Sequence, residues 1–267
     1  ENFFHIGTLP KTKAIVPVHL FGQCANMEEI LKIAEEHNLF VVEDACQAIG
    51  SEYTFANGIK KQAGCMGHIG CTSFFPSKNL GCYGDGGALF TDDDALAEKI
   101  RVIANHGMVV RYHHDLVGVN SRLDSIQAAV LDAKLPHLKE YTAARQQAAH
   151  FYDNAFAGNK HILIPARDTK STHVFHQYTL RLIPDEGISP AEYRDNIREK
   201  LAEKDIPAMV YYPVPLHLQK AYLDPRYKHG DFPNAERLAD SVLSLPMHTC
   251  LDKEQLEYIT QNVLQIL

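Results

Sequence analysis

The sequence of 267 residues lacks the features of several large classes of protein. It contains no block of like charges, and with a formal net charge of −7 it offers no basic surface for nucleic acid. No apolar run approaches the length of a membrane span. The first five residues, ENFFH, include neither an initiator Met nor a signal-peptide pattern, which indicates a chain that begins partway through a longer protein. We therefore expect neither nucleic acid nor a membrane as a partner.

The cysteines and histidines show no disulfide or metal-binding pattern. None of the six cysteines belongs to a C-x-x-C pair, and their scattered positions are typical of reduced thiols in a cytoplasmic protein. The sequence has 15 histidines but no H-E-x-x-H motif. In the one histidine doublet, His113–His114, the side chains are adjacent in sequence, and adjacent residues rarely share a metal. We expect no metal site.

Apolar runs in the first half of the chain predict a parallel sheet. Buried strands are predicted at 14–20, 39–44, 71–75 and 87–91, with a loop over 51–70. A strand, a helix and a second strand joined by short connections form a right-handed parallel unit in nearly all proteins. Strands that are apolar throughout are typical of a sheet covered on both faces. The first half is therefore expected to be an α/β portion with a mostly parallel sheet.

Helix caps and an alternating strand extend this prediction to the rest of the chain. Helices are predicted after Asn26 (a capping box with Glu29), after Asp92 and Asp93, around Leu123 to Val130, from Pro136 to about Phe156, after Ser189 and after Asp252. The alternating stretch 174–182 predicts a half-solvated antiparallel strand, and 207–212 is a second candidate strand. We predict a large domain over 1–136 and a smaller α+β domain over 137–267, with the long helix as the hinge.

One lysine, Lys78, lies between an aromatic strand end and a run of glycines in the stretch 73–87, SFFPSKNLGCYGDGG. A lysine in a tight, partly apolar turn is poorly solvated, which disfavours the ammonium form and favours the nucleophilic amine. A lysine that forms a Schiff base needs this environment. Taken alone, the motif favours an ordinary surface lysine in a glycine turn, and only its context favours the Schiff-base lysine.

Three other polar side chains are expected near Lys78. In open parallel sheets, ligands bind beyond the carboxyl ends of the strands. Asp44 ends one predicted strand, Gln47 follows three residues later, and Ser73 belongs to the strand that precedes Lys78. A carboxylate that faces a pyridine nitrogen keeps it protonated, so an aspartate with a Schiff-base lysine is the minimum set for pyridoxal phosphate chemistry. Asp44 could instead cap a helix, and Ser73 could bond only to backbone.

Five motifs, in this order, resemble the DegT/DnrJ/EryC1/StrS aminotransferases. They are VEDACQAIG (42–50), SFFPSKNLG with GDGG (73–87), GVNSR with QAA (118–129), YPVPLH (212–217) and LP (245–246). The resemblance covers nearly the whole chain. It implies the aspartate-aminotransferase fold (fold type I), pyridoxal 5'-phosphate as cofactor, and a homodimer with active sites at the interface. It also implies transfer of an amino group from glutamate to a keto sugar nucleotide, for cell-surface polysaccharide or related amino-sugar biosynthesis.

The resemblance also implies roles for individual residues. Lys78 matches the lysine that binds the cofactor and moves protons. Asp44 matches the aspartate that pairs with the nitrogen of the cofactor ring. Gln47 matches the residue beside the ring, Ser73 a phosphate ligand, and Asn120 an asparagine that reaches the neighbouring subunit's cofactor phosphate. His217 is a candidate substrate residue, or a histidine in a proline-stiffened loop.

A subgroup of the family, which aminates a 3-keto N-acetylglucosaminuronate on UDP, has similar motifs to CTSFFPSK (71–78), RYHH (111–114) and GVNSRLD (118–124). Arg111, His113 or Arg122 could bind the uronate carboxylate through charge-assisted hydrogen bonds, or could only shape the loop.

The chain departs from the family because the family's first third, with a phosphate-binding turn at a helix N-terminus, is not matched before Lys11. A non-catalytic fragment or a binding or regulatory module of the same fold therefore remains an alternative to the aminotransferase. A sugar dehydratase on the same scaffold is a further alternative. Relatives with that activity have histidine in place of the lysine, so Lys78 argues against it.

Overall fold

A computed structural model describes residues 12–267, so the expectation about a phosphate-binding turn before Lys11 lies outside the described residues. The chain forms two compact packing units. The described part of the first packing unit comprises residues 12–143 with Arg167–His176, and that of the second comprises Ala144–Ala166 with Gln177–Leu267. The segment Arg167–His176 thus packs with the first unit, although the sequence analysis placed it after the predicted boundary at 136. The division into domains stays a prediction.

A mixed sheet forms the centre of the first packing unit. Its strands among residues 12–143 are, in spatial order, β1 (Ala14–Ile15), β2 (Phe40–Asp44), β5 (Ile69–Ser73) and β6 (Gly87–Phe90). The first three run parallel, and β6 pairs antiparallel with β5. The prediction of a mostly parallel sheet in an α/β fold is therefore confirmed.

The first packing unit also contains helices and a hairpin. They are α1 (Met27–Glu36), the hairpin strands β3 (Glu52–Thr54) and β4 (Lys60–Gln62), α2 (Asp94–Ala104) and α3 (Ser125–Lys134). The helix α4 (Leu138–Phe156) begins in this unit, and its residues from Ala144 onward belong to the second. Met27, Ile30 and Ala34 of α1 pack with Val41 of β2 in the apolar core. Burying a Met, Ile or Val side chain contributes about 1.5–3 kcal/mol, so this core stabilises the position of β2 in the sheet.

The second packing unit contains an antiparallel sheet with helices. Its described elements are β7 (Ile162–Leu163), β8 (Tyr178–Leu182), α5 (Pro190–Ala202), α6 (Pro233–Ser241), β9 (Val242–Leu245) and α7 (Lys253–Ile266). The strand order is β7-β8-β9. The rings of Tyr152 and Tyr178 lie 4.8 Å apart, and Tyr152 donates a hydrogen bond to the carbonyl of Pro246.

Several element predictions are confirmed. Asp93, Ser189 and Asp252 each cap a helix, because a side-chain oxygen of each accepts a hydrogen bond from a backbone N–H in the first turn. The alternating strand of the second half is present, but β8 begins only at Tyr178. None of the helices over residues 12–267 is long and apolar enough to cross a bilayer.

Four predictions were wrong in detail. The strand predicted at 14–20 ends at Ile15, because Pro17 has no N–H for a sheet ladder and only Val18 bridges to β2. The capping box at Asn26 does not form, since its Oδ1 accepts from the Tyr53 hydroxyl instead. The predicted loop 51–70 contains the hairpin β3–β4.

The fourth is the candidate strand at 207–212, which is reduced to a bridge from Met209 to Ser244. Pro207 begins this stretch and Pro213 follows it, and neither can donate to a sheet ladder. The pair α6 and β9 was not predicted at all, although Pro233 at the first helical turn followed by an apolar run is a recognisable signal.

Candidate active site

Two neighbouring strand ends position the central candidate residues. Asp44 is the last residue of β2 and Ser73 the last of β5, and these strands pair in parallel with Asp44 opposite Cys71. The backbone of Asp44 is fixed on the other side as well, since its N–H donates to the carbonyl of Pro17 at 2.9 Å. The carboxyl ends of β2 and β5 therefore lie side by side, as the sequence predicted.

The Asp44 carboxylate is half-buried and directed into the turn that follows β2. Its Oδ1 accepts a hydrogen bond of 3.1 Å from the N–H of Cys46. Burial raises the pKa of the Cys46 thiol to about 12, with further increases from the hydrogen bond and negative charge of Asp44, while the positive charge of Lys78 opposes the shift. Asp44 and Lys78 therefore both affect the pKa of the same thiol, in opposite directions.

Lys78 lies in the turn after β5, where its N–H donates to the carbonyl of Phe75 at 2.8 Å. Its side chain is half-buried, and its ammonium group has no hydrogen-bond or ion-pair partner among residues 12–267. The turn itself is tightly closed. A Cβ at Gly81 would lie 2.5 Å from the carbonyl oxygen of Pro76, so only glycine fits there. Lys134 Nζ fixes the other side of the turn by a 2.7 Å hydrogen bond to the Gly81 carbonyl.

Gln47 and Ser73 make local hydrogen bonds near these residues. The Oε1 of Gln47 accepts from the N–H of Phe21 at 2.8 Å, and the Oγ of Ser73 accepts from the N–H of Phe75 at 3.2 Å. No helix begins at Gln47, because residues 46–50 form turns. Gln47 is thus held in place by the segment that follows β1.

Asn120 and Arg122 lie together at a large exposed cavity. Arg122 donates to the Oδ1 of Asn120 at 3.1 Å and to the Oδ1 of Asn105 at 3.3 Å. The cavity has a volume of about 640 Å³, and its wall also includes residues of β5, β6 and α2. Arg111 and His113 are exposed in the preceding loop, where the Arg111 guanidinium lies 4.9 Å from the ring centre of Tyr112.

His217 belongs to the second packing unit, in a short 3-10 helix over Leu216–Leu218. Its Nε2 lies 2.9 Å from Glu236, and both side chains are nearly buried. Burial would raise the pKa of Glu236, but hydrogen bonds from the Gly230 N–H and from His217 outweigh it and lower the pKa. His217 also lines a cavity of about 420 Å³ together with the aromatic side chains of Tyr222, Tyr227 and Phe232.

The sequence analysis missed a buried, hydrogen-bonded histidine–glutamate pair next to Asp44. His19 Nε2 lies 2.8 Å from Glu43, and both side chains are fully buried. The Glu43 carboxylate also accepts hydrogen bonds from the N–H groups of Gly64, Met66 and Gly67. Its pKa is lowered because the His19 and backbone hydrogen bonds outweigh the effect of burial, which alone would raise it. The available signal was a glutamate inside an apolar strand.

The sequence profile of the DegT/DnrJ/EryC1/StrS aminotransferase family matches residues 8–264. The chain belongs to this family. It is 47% identical over 255 residues to a "pleiotropic regulatory protein" of Geobacillus stearothermophilus, with 95% of the chain and 65% of that protein covered.

Two further relatives have names that state an activity. A UDP-N-acetyl-3-dehydro-alpha-D-glucosamine 3-aminotransferase of Acidithiobacillus ferrooxidans is 44% identical, with 94% of the chain and 63% of that protein covered. A UDP-2-acetamido-2-deoxy-3-oxo-D-glucuronate aminotransferase of Pseudomonas aeruginosa is 43% identical, with 94% and 65% covered. The chain thus spans less than two thirds of the length of these three relatives.

Solved structures of aminotransferases have the same fold. S. venezuelae DesV in complex with a ketimine intermediate superposes with a TM-score of 0.87 at 38% identity, with 96% of the chain and 66% of DesV covered. NtdA of Bacillus subtilis with bound cofactor PMP superposes with a TM-score of 0.82 at 29% identity, with 97% and 57% covered. The predicted fold class is therefore confirmed.

The residues at the ends of β2 and β5 fit the pyridoxal phosphate on which this family depends. The Oδ2 of Asp44 accepts no hydrogen bond from any residue in 12–267, so it remains available to a protonated ring nitrogen. The Lys78 amine is likewise available to an aldehyde. Within the same described range, no cluster of three or more His, Cys, Asp or Glu side chains is placed to hold a metal ion.

Proposed function

We propose that the protein to which this chain belongs is a pyridoxal-phosphate-dependent aminotransferase. It would move an amino group from glutamate to a keto sugar nucleotide. The observation that supports this most directly is the arrangement of Asp44 and Lys78 at adjacent strand ends, with an amine and a carboxylate oxygen that other side chains leave available.

Each residue would contribute one physical effect. The bound cofactor supplies an electron-accepting ring. The Asp44 carboxylate would hold a proton on the ring nitrogen. The Lys78 amine would bind the aldehyde and then take and return protons at the substrate carbon, as a general base and acid. The Ser73 hydroxyl would donate a hydrogen bond to the phosphate. Gln47, whose side chain is fixed by a hydrogen bond from the Phe21 N–H, would restrict the position of the ring.

The proposed substrate is a UDP-linked 3-keto sugar with a carboxylate. Arg111, His113 and Arg122 are exposed donors that suit a carboxylate, and arginine can bind one in a bidentate manner. The glucuronate named for the Pseudomonas aeruginosa relative has this group, whereas the glucosamine named for the Acidithiobacillus ferrooxidans relative does not. His217, in the second packing unit, is proposed separately as a substrate residue. The product would enter amino-sugar and cell-surface polysaccharide synthesis in the cytoplasm.

A homodimer with active sites at the interface is part of the proposal. The loop before Asn120 exposes apolar side chains, with Val117 97% exposed, and Ile126 on α3 is 73% exposed. Exposed apolar surfaces of this kind are typical of protein contacts. Arg122 holds the Asn120 side chain at the rim of the large cavity, where it would reach a cofactor phosphate in the second subunit.

A second candidate function is a regulatory or binding module without catalysis. It is favoured by the name of the Geobacillus stearothermophilus relative, a "pleiotropic regulatory protein". A sugar dehydratase is less well supported, because relatives with that activity have histidine at the position of Lys78.

Borohydride trapping tests the leading proposal. The chain is incubated with pyridoxal phosphate, reduced with borohydride, digested and mapped by mass spectrometry. The expected result is a stable adduct on Lys78 that Lys78→Ala abolishes. The control variant is Lys139→Ala, which removes an exposed lysine from α4. Adducts spread evenly over exposed lysines, with Lys78 not preferred, would contradict the proposal. Transfer of an amino group from glutamate to a panel of keto sugar nucleotides then tests the substrate class.

A further inference from the structure

The residue directly after Lys78 is tied to a distant segment of the chain. Asn79 is 8% exposed, and its Nδ2 donates to the carbonyl of Val174 at 3.0 Å. Its Oδ1 lies 3.2 Å from Nδ1 of His176, which therefore donates to it. Both ends of the amide are thus bonded to residues more than 90 positions later, within the same packing unit.

The same segment also holds the residues that fix Gln47. The N–H groups of His176 and Val174 donate to the carbonyls of Phe21 and Gly22, each at 2.9 Å. Phe21 in turn donates its own N–H to Gln47. The approach is close, since Gly22 has φ +111° and a Cβ there would lie 3.0 Å from the nitrogen of Phe175. Residues 174–176 therefore connect the Lys78 turn with the Gln47 side chain.

Aromatic packing holds this connecting segment in one conformation. Phe175 has φ +46°, and its ring stacks on His173 with centres 3.9 Å apart. The Arg167 guanidinium lies 4.4 Å from the centre of the same ring. Val174 and Phe175 are both buried. A left-handed conformation in a phenylalanine persists only where the surroundings impose it, so the segment is a fixed support rather than a loose loop.

We propose that Asn79 is a positioning residue for Lys78. Through residues 174–176 it sets the Lys78 amine at a fixed position relative to Gln47, and this role rests on the proposed function of Lys78. The Lys78 side chain has no polar partner of its own among the described residues. The backbone that follows it is restrained at two points, by the Asn79 amide and by the bond from Lys134 to the Gly81 carbonyl. Removing the amide releases one of these two restraints.

The test compares the reactivity of the Lys78 amine in variants that remain folded. Asn79→Ala removes both hydrogen bonds, and Asn79→Asp keeps an acceptor for His176 but removes the donor to Val174. The matched control is Asn262→Ala, which removes a 2.8 Å bond from a side-chain amide to the carbonyl of Tyr258. The readout is the ratio of borohydride-stable pyridoxal phosphate adduct on Lys78 to that on exposed Lys139. Urea unfolding measures the fraction that is folded.

The ratio is expected to fall about tenfold in Asn79→Ala, because losing buried hydrogen bonds changes a conformational equilibrium by roughly that factor. The ratio for Asn79→Asp should lie between those of the wild type and Asn79→Ala, and the ratio for Asn262→Ala should match that of the wild type. A lowered unfolding midpoint with an unchanged ratio would show a purely structural role and overturn the inference. If Asn79→Ala does not fold, His176→Ala removes one of the same bonds from its other partner and is scored identically.

Acetylation of amines with acetic anhydride separates this inference from the proposed function. If the wild type forms no adduct on Lys78, the proposed function is wrong, and the acetylation ratio of Lys78 to Lys139 decides the positioning role alone. A ratio that changes in Asn79→Ala supports the role, and one that does not change overturns it. If the wild type forms the adduct and Asn79→Ala forms it equally, only the positioning role fails.

Discussion

Replacing Glu43 by glutamine is expected to destabilise the first packing unit strongly. The fully buried carboxylate accepts four hydrogen bonds, with His19 and the Gly64 N–H on Oε2 and the Met66 and Gly67 N–H groups on Oε1. An amide has a single acceptor oxygen, and its NH₂ group would face two N–H donors. Each buried donor left without an acceptor costs about 1–3 kcal/mol, so Glu43→Gln should lower the free energy of unfolding by about 2–5 kcal/mol.

The pH dependence gives this prediction a second, independent measure. The pKa of Glu43 is lowered from 4.5 in the folded protein. A carboxyl group whose pKa is depressed on folding stabilises the protein above its unfolded pKa, and that contribution disappears as the pH falls through the folded pKa. The wild type should therefore lose stability below about pH 4.5 more steeply than Glu43→Gln, which has no group to protonate at this position.

Urea unfolding followed by far-ultraviolet circular dichroism, from pH 7 down to pH 3, measures both effects. Glu35→Gln is the control, because Glu35 is an exposed residue of α1 and its substitution should change the free energy by less than about 0.5 kcal/mol. The reasoning would be refuted by a loss below about 1 kcal/mol at neutral pH. Parallel pH profiles for wild type and Glu43→Gln would refute the assignment of the acid-sensitive group.

Three further predictions test separate parts of the structure. Gly81→Ala should lower the free energy of unfolding by about 1–3 kcal/mol, because the added Cβ would have no space. Gly58→Ala has space for its Cβ and should cost only about 1–2 kcal/mol, because alanine disfavours the left-handed backbone conformation found there. Urea unfolding measures both changes. Asp252→Ala should cost about 1 kcal/mol through loss of the α7 cap, measured in the same way. Asp44→Asn should speed the alkylation of Cys46, because it removes the carboxylate that helps to raise the pKa of the thiol. Burial, the larger cause, remains, so the rate should stay below that of a fully exposed thiol. An unchanged rate would contradict the contact between Asp44 and Cys46.

Local signals predicted much of the fold. Helix caps at Asp93, Ser189 and Asp252 depend on a side chain three residues from its partner, and such contacts are visible in sequence. The errors arose where a local signal competed with a distant one. Asn26 has the sequence of a cap, but Tyr53, 27 residues away, takes its oxygen. Pro17 lies within an apolar run, yet its missing N–H ends the strand.

In the candidate site, too, the strand ends were predictable from local signals, and the contacts between distant segments were not. Asp44 and Ser73 were expected at neighbouring strand ends, and the parallel pairing of β2 with β5 brings those two ends together, while Lys78 lies in the turn after β5. The support from residues 174–176 could not have been predicted, because His176 and Asn79 are 97 positions apart and neither belongs to a periodic pattern. His19 and Glu43 are 24 positions apart in two different segments, so their pairing also became visible only in the folded chain.

The two consecutive carboxylates of β2 have different roles because side chains alternate across a strand. Glu43 points to the buried face, where three backbone N–H groups and His19 satisfy its charge. Asp44 points the other way and keeps one oxygen available near Lys78. Glu43 also fixes the side chain of His19 by a hydrogen bond, and the backbone N–H of His19 donates to the carbonyl of Asp44 at 2.9 Å. A change at Glu43 should therefore reach the site through the backbone of Asp44, and a change at Asp44 should leave the buried pair intact.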